Sequence, residues 1–445
     1  MINLWGLLIV EIMLALIFFL LNRQDILAPS VLMALVFSTS TFIAILNGGN
    51  WDIHYSFNAA ALISLGLFLF GVTDIFIRKL FGVKKMSYIE ATSLTIFVER
   101  WKTWLIIFAD MIIVLLVYQE VQRIASTGGG YTNAFYAYRI ITSHSTQRSA
   151  DQYMNGLVNQ SMKLVIVTGF LFAFVFINNV LICRGCLKRN VSFLIPPVLL
   201  CIMTLITGVR TNILRLCVFG LVCWYILLQC QTNWRIKTSW KFIRILVIAA
   251  IAILFLFSIS QSMLGRKGST DLWTVISNYA GASIQHFNQY IQDPPDRNTV
   301  FGQETFSGVW NLMRRLGLVT HTYSVHGEYR YLNATEFGNV YTFFRRYLQD
   351  FNPIGMCIMS ILTAGFFSLI YNHSIRCRSL SYRRNIVIIE YAYLYYIIAI
   401  SSIDNIVHDY LNVGTVLMCM LLHVMYWFMF RLRISAGPRS GRTVG

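Results

Sequence analysis

The chain has 445 residues, 56% of them hydrophobic and 12% charged, against about 25% charged in a soluble protein. That composition excludes a soluble globular domain and predicts an all-α, polytopic transmembrane helical bundle. The net charge of +17 would suggest a nucleic-acid partner in a soluble chain, but most of these bases flank apolar runs, where membrane orientation places them, so no nucleic acid is expected.

A helix needs about 20 apolar residues to cross a bilayer. Eleven runs qualify: residues 3–21, 29–46, 58–77, 103–118, 162–182, 191–207, 212–230, 242–259, 353–371, 386–402 and 410–430. Met1–Leu21 has no basic leader, so it reads as a first span and not as a cleaved signal. The fourth run carries Asp110, and the tenth is short and rich in tyrosine. Nine cysteines lie in or beside the runs, and Cys183 and Cys186 have CxxC spacing without a second pair. They read as helix-end thiols and not as a disulfide framework. No repeat or soluble insert divides the chain, which is expected to be one integral membrane domain over residues 1–445.

Lys and Arg gather in alternate connections, such as Arg78 to Lys102, Arg184 to Arg189, Arg235 to Arg244, and the tail from Arg431. By the positive-inside rule these face the cytoplasm. The amino terminus is then outside, the carboxyl terminus cytoplasmic, and both long loops, residues 119–161 and 260–352, are outside. Loops longer than about 12–15 residues are functional or disordered. The second is too aromatic for disorder, so it is the candidate active site. Within it, Trp273–Ile291 repeats apolar residues at three- and four-residue steps and predicts a helix lying along the membrane surface. Trp310–Val319 predicts another, and Gly128–Gly130 with Tyr131, Tyr136 and Tyr138 a flap.

Arg210 lies in the turn Gly208–Asn212, Arg215 one turn deeper, and Arg266 just past the eighth run. A charge at membrane depth costs about 2.5–3.5 kcal/mol, so each needs a partner or a task. Either their forks hold the diphosphate of a lipid, or they snorkel to the interface and pair with carboxylates. Asn339, Tyr341, Thr342, Arg345, Arg346, Tyr347 and Asp350 cluster before the ninth run. Read as one helix, Asn339, Thr342, Arg346 and Asp350 share a face, and Asp350 either takes a proton from a hydroxyl or pairs with Arg346. Glu304, Glu328 and His326 are the other acid–base candidates, with Asp404 and His408–Asp409 as supporting groups. Asp74 and Asp110 read as structural. His321 and His326 lack a helical ligand spacing, and no phosphate loop, dinucleotide fingerprint or nucleophile elbow occurs, so neither metal nor cofactor is expected.

Gly208 and Arg210, Gly265–Arg266, Phe301–Phe306, and Asn339, Tyr341, Thr342, Phe344, Asp350 and Phe351 give the chain a likeness: it resembles the bacterial O-antigen, or oligosaccharide repeat-unit, polymerases. It departs where Asn352-Pro353 precedes Gly355, since relatives often read Asp-Phe-Gly there. The resemblance implies a metal-independent glycosyltransferase of the inner membrane that joins undecaprenyl-diphosphate-linked repeat units into an O-antigen or capsule. Arg210, Arg266, Arg215 and Arg346 would then hold the diphosphate. The base would come from Asp350, Glu304, Glu328 or His326, and Asn339, Tyr341, Thr342 and Tyr347 would meet the glycan. The partners implied are the lipid-linked oligosaccharide, membrane lipid and a chain-length regulator protein.

Rival classes remain. A flippase for the same substrate needs ionisable residues through the middle of many runs, where only Glu11, Asp74, Asp110 and Arg215 occur. An O-acyltransferase needs a histidine buried in a span, for which His423 is the one choice. An O-antigen ligase shares both donor and architecture.

Overall fold

The computed structural model describes residues 1–81, 95–127, 133–144, 149–232, 272–320, 327–333, 337–376 and 382–432, with Trp234, Arg244 and Ile248. Among them are nine helices long and apolar enough to cross a membrane, so the fold is an all-α polytopic bundle. The nine coincide with nine of the expected runs. The tenth run is the shorter apolar helix Asn385–Ala399, and run 242–259, save Arg244 and Ile248, lies outside the described residues.

The spans are α1 (Ile2–Leu21), α2 (Pro29–Leu46), α3 (Phe57–Leu80) and α4 (Arg100–Ser126). After α5 (Ala134–His144) come α6 (Gly156–Phe176), α7 (Ile195–Ile206) and α8 (Thr211–Gln231). The long loop folds into α9 (Leu272–Ala280), α10 (Ala282–Gln292), α11 (Ser307–Arg315) and a two-residue hairpin, Arg330–Tyr331 against Phe337–Gly338. Then follow α12 (Phe343–Leu369), α13 (Tyr382–Leu394) and α14 (Val413–Phe430). We call the end of the bundle that carries the long loop the loop end.

Without a hydrophobic force between helices in lipid, close packing needs small residues. Gly66 and Gly71 of α3 supply it: a Cβ there would lie 2.3 Å from the Phe344 ring and 1.9 Å from the Phe18 ring. Phe344 also meets Phe37 of α2, centroids 5.3 Å apart. The first turns of α12 are thus sunk into the bundle.

Charges inside the bundle have partners, as their cost at membrane depth requires. At the end opposite the loop, Asp25 accepts from the Tyr225 hydroxyl at 2.7 Å and the Tyr371 hydroxyl at 3.0 Å, and pairs with Arg376 at 3.3 Å. Asp74 accepts from Ser30, Asn22 and Ser368, the last at 2.6 Å. Midway along the spans, Glu11 accepts from Thr41 at 3.0 Å and Asp110 from Thr168 at 2.8 Å.

One expectation fails. Trp273–Ile291 is not a single helix along the membrane surface. It breaks at Gly281, where a Cβ would lie 2.8 Å from Ile43 and 3.1 Å from the backbone of Ala44. Its second half, α10, buries polar and apolar residues alike, among them Ser283, Ile284, His286, Phe287 and Asn288. It packs on α2 and α3 and roofs the bundle.

Candidate functional site

α12 begins at Phe343 and not earlier, with Thr342 extended (φ −66°, ψ 159°) at its N-cap. Asn339 and Thr342 are therefore outside the helix, and the shared face with Arg346 and Asp350 does not form. Pro353 cannot continue a hydrogen-bonded turn and constrains the residue before it. The helix accordingly breaks at Asn352 (φ 61°, ψ 178°). The stub from Phe343 to Phe351 carries the site.

Arg345 is its centre, 3% exposed. One guanidinium nitrogen meets Glu304 at 2.5 Å and another meets Glu328 at 2.5 Å. The rings of Tyr290 and Tyr341 stand 5.3 Å and 5.2 Å from its carbon, within cation–π range. Glu328 is held a second time by Arg330 at 3.2 Å. Arg346, beside Arg345, pairs with Glu304 at 3.4 Å and with Asp404 at 3.5 Å. Three arginines and three carboxylates from four separated stretches thus form one network beneath the loop.

The two glutamates on Arg345 are driven apart. Burial pushes the Glu304 carboxyl above its usual range, although Arg345 and Arg346 pull against it. Burial acts on Glu328 in the same sense, but Arg345 and its hydrogen bonds outweigh it and hold Glu328 below the usual range. Glu304 is the one that takes a proton first. Opposed shifts on adjacent carboxyls mark acid–base sites, and also buried ion pairs with no chemistry. Burial likewise pushes Tyr290 up to about 12 and His286 down to about 4, with the His286 Nδ1 2.9 Å from the Val340 carbonyl.

Asp350 does something other than pair with an arginine. Its carboxylate accepts from the Asn298 amide at 2.6 Å and from the backbone N–H groups of Glu304 and Thr305 at 3.1 and 2.7 Å. It holds the turn that aims Glu304, and the rings of Phe301, Phe306 and Phe351 seal that turn. Tyr341, Thr342 and Tyr347 are 3%, 1% and 0% exposed. The fold uses them for packing: the Tyr341 hydroxyl donates to the Glu328 carbonyl at 2.8 Å, and the Tyr347 ring packs on Phe343.

Arg210 is buried apart from this network. It donates to the Tyr279 hydroxyl at 3.2 Å and lines a cavity of about 450 Å³ with Arg139, Tyr138, Asn159 and Asn212. Gly208 makes that turn with φ +67°, and its carbonyl accepts from Arg139 at 3.2 Å. Arg215 sits in an aromatic cage, 5.1–5.3 Å from the rings of Tyr393, Tyr396 and Tyr410. It donates to Asn212 and Tyr393. Arg266 and His326 lie outside the described residues. No group of three or more metal-ligating side chains occurs among the described residues.

Sequence reasoning did not single out Arg345 as the hub, or Asp404 as a member of the network. The one signal for Arg345 was its place in an arginine pair ahead of a span. The partners that define it, Glu304 and Glu328, are 41 and 17 residues away. Compared with family models, with curated proteins and with solved structures, the chain matches none, so its function has to be argued from the chemistry of this site.

Proposed function

We propose that the chain is a repeat-unit polymerase, a glycosyltransferase of the bacterial inner membrane that works with its loop end outward and its carboxyl terminus in the cytoplasm. Its substrates are oligosaccharide repeat units carried on undecaprenyl diphosphate, and its product is a lengthened O-antigen or capsule chain. The observation that carries this reading is the network of Glu304, Arg345, Glu328, Arg346 and Asp404, set beneath a long loop at one end of a membrane bundle with Asp404 reaching solvent. The basic cavity at Arg210 and Arg139 lies at the same end.

That basic cavity suits a reaction with a lipid diphosphate as leaving group, because arginine forks offset the charge that develops on it. The acceptor hydroxyl attacks the anomeric carbon of the donor sugar, the bond to the diphosphate oxygen breaks, and the hydroxyl proton passes to a carboxylate. We assign that proton to Asp404, whose side chain is 37% exposed, where Glu304 is 6% exposed. Arg210 and Arg139 receive the diphosphate.

A second reading, export of the same lipid-linked unit, is favoured by ionisable side chains buried at both ends of the bundle, with Glu11 and Asp110 between them. The surface glycan of a strain lacking the chain separates the readings. Single repeat units at the surface fit a polymerase. No surface repeats fit an exporter, and full-length polymer left on its carrier fits a ligase; either result rejects the polymerase.

A further inference from the structure

The Arg210 cavity has a neighbour. On the other side of Asn159, which lines both, a second cavity of about 530 Å³ opens at the loop end. Its walls are the first turns of α6 and α14, together with α11 and the short helix Val407–Tyr410. Lys163 and Arg315 both line it. Neither has a carboxylate within ion-pair distance among the described residues. Asp409 is on its wall as well, its carboxylate 3.2 Å from the His408 ring and beyond ion-pair distance of either base. Lys163 donates to Gln160 at 2.6 Å, and its ammonium would stand 3.8 Å from a Cβ placed at Gly414 in the first turn of α14. That helix start adds its own partial positive charge.

Deeper in the bundle, a groove of about 400 Å³ lies between α6, α12, α13 and α14. Its walls are apolar apart from a few groups, with Glu390 its one acidic residue. α6 joins cavity to groove: Asn159 and Lys163 line the first, Val167 and Phe170 the second. Steps of four, four and three put all of them on one face of the helix. α14 passes from one to the other as well, with Gly414 and Leu417 above and Met418 and Leu422 below. One helical turn is about 5.4 Å, so the Lys163 position stands roughly one turn above the first groove residue.

We infer that cavity and groove are one seat for a prenyl diphosphate, separate from the Arg210 cavity. Its phosphate oxygens lie against Lys163 and Arg315, and its hydrocarbon tail runs along Val167, Phe170 and Leu422. The inference rests on the function proposed above, in which two lipid-linked substrates meet at one end of the bundle and so need two seats. Two bases above an apolar slot select an isoprenoid with a diphosphate head over the neutral alcohol of the same tail. Neither the cavity nor the groove alone would make that distinction.

The test is photolabelling of the protein in phosphatidylcholine nanodiscs. The probes are farnesyl diphosphate with a diazirine on its last isoprene, and the matching farnesol. The diphosphate probe should label Val413–Phe430. Lys163→Gln with Arg315→Gln should reduce that labelling about tenfold, the loss of charge-assisted bonds, whereas Arg210→Gln should leave it in place. Excess inorganic pyrophosphate or excess phosphatidylglycerol should each leave most of it.

Equal labelling by farnesol, or full labelling of the double variant, overturns the seat. So does complete competition by pyrophosphate, which would make it a free-anion site, or by phosphatidylglycerol, which would make it a bulk-lipid groove. If the double variant does not fold, the ratio of diphosphate to farnesol labelling on the unaltered protein decides. Labelling needs no polymerisation. A strain lacking the chain that still makes full-length glycan would therefore reject the proposed function and leave the seat to be judged by labelling alone.

Discussion

Asp350 and Asp404 stand at opposite extremes of commitment. The first spends its carboxylate on the turn at Glu304 and Thr305, and the second reaches solvent beside Arg346. Asp404→Asn is expected to lower thermal stability by no more than about 1 kcal/mol, the size of a solvent-reaching ion pair, and to slow polymerisation in reconstituted vesicles by about 10²–10⁴-fold. Asp350→Asn is expected to lower stability by about 1–3 kcal/mol, because it disturbs half-buried charge-assisted bonds, and to speed proteolysis of residues 298–306. A slow but fully stable Asp350→Asn protein would move the proton to Asp350. His286 gives a prediction in pH. Burial lowers it from 6.5 to about 4, so below pH 6.5 the unfolded chain takes up a proton that the fold refuses. Stability should therefore be level above about pH 6.5 and fall by about 3 kcal/mol as pH drops to about 4. Thermal midpoints at several pH values check this, and His286→Gln should flatten the curve.

The break in α12 sets how the stub bearing the two arginines meets the span below it. Asn352 holds φ 61° with ψ 178°, a region nearly reserved for glycine that costs about 1–3 kcal/mol for other residues. Asn352→Gly should raise the thermal midpoint, and Asn352→Ala should lower it; a fall with glycine would show that the asparagine side chain holds the break. Pro353 announced this break in the sequence, because it cannot sit inside a helix. The start of α12 carried no such sign: Thr342 makes no side-chain cap bond, and the face assigned to Asn339 and Thr342 depended on where the helix began. Gly281 was equally silent, since a helical glycine is read as a break only when the neighbour it admits, here Ile43, is known.

At the scale of the molecule, apolar runs about 20 residues long are the strongest signal a membrane sequence carries, and nine described helices fall where they were expected. α7 leads from residues 183–190 to the Gly208 turn, where Tyr279 of the long loop meets Arg210, so the two stretches lie at opposite ends. With all nine cysteines replaced, single cysteines at Lys188 and Thr299, both exposed, should therefore differ in labelling by an impermeant maleimide on intact cells. The proposed orientation has Thr299 labelled and Lys188 protected, and the reverse pattern would turn the protein over. The candidate site was less legible than the fold. Its residues were visible as types, but which carboxylate meets which arginine depends on loop paths that periodicity does not encode. Arg215 shows the same limit: a lone charge in a span suggested a ligand site, and its cage is made by Tyr393 and Tyr396 of the tyrosine-rich run, some 180 residues away, and by Tyr410 beyond it.

The clasp at Asp25 has a consequence for how the protein is made. Its basic partner, Arg376, is 351 residues further along the chain. At about 5–20 residues per second of synthesis, that is a wait of roughly 20–70 s. During that interval the first three spans are already in the membrane with Asp25 near Arg78 alone, then bonded by Tyr225, and the clasp is closed only by Tyr371 and Arg376. A nascent chain stopped short of Arg376 should thus be an unfinished object to the quality-control proteases of the membrane. In pulse–chase, a truncation ending at Leu369 is expected to decay faster than one ending just beyond Arg376, and Asp25→Asn should narrow the gap between their lifetimes.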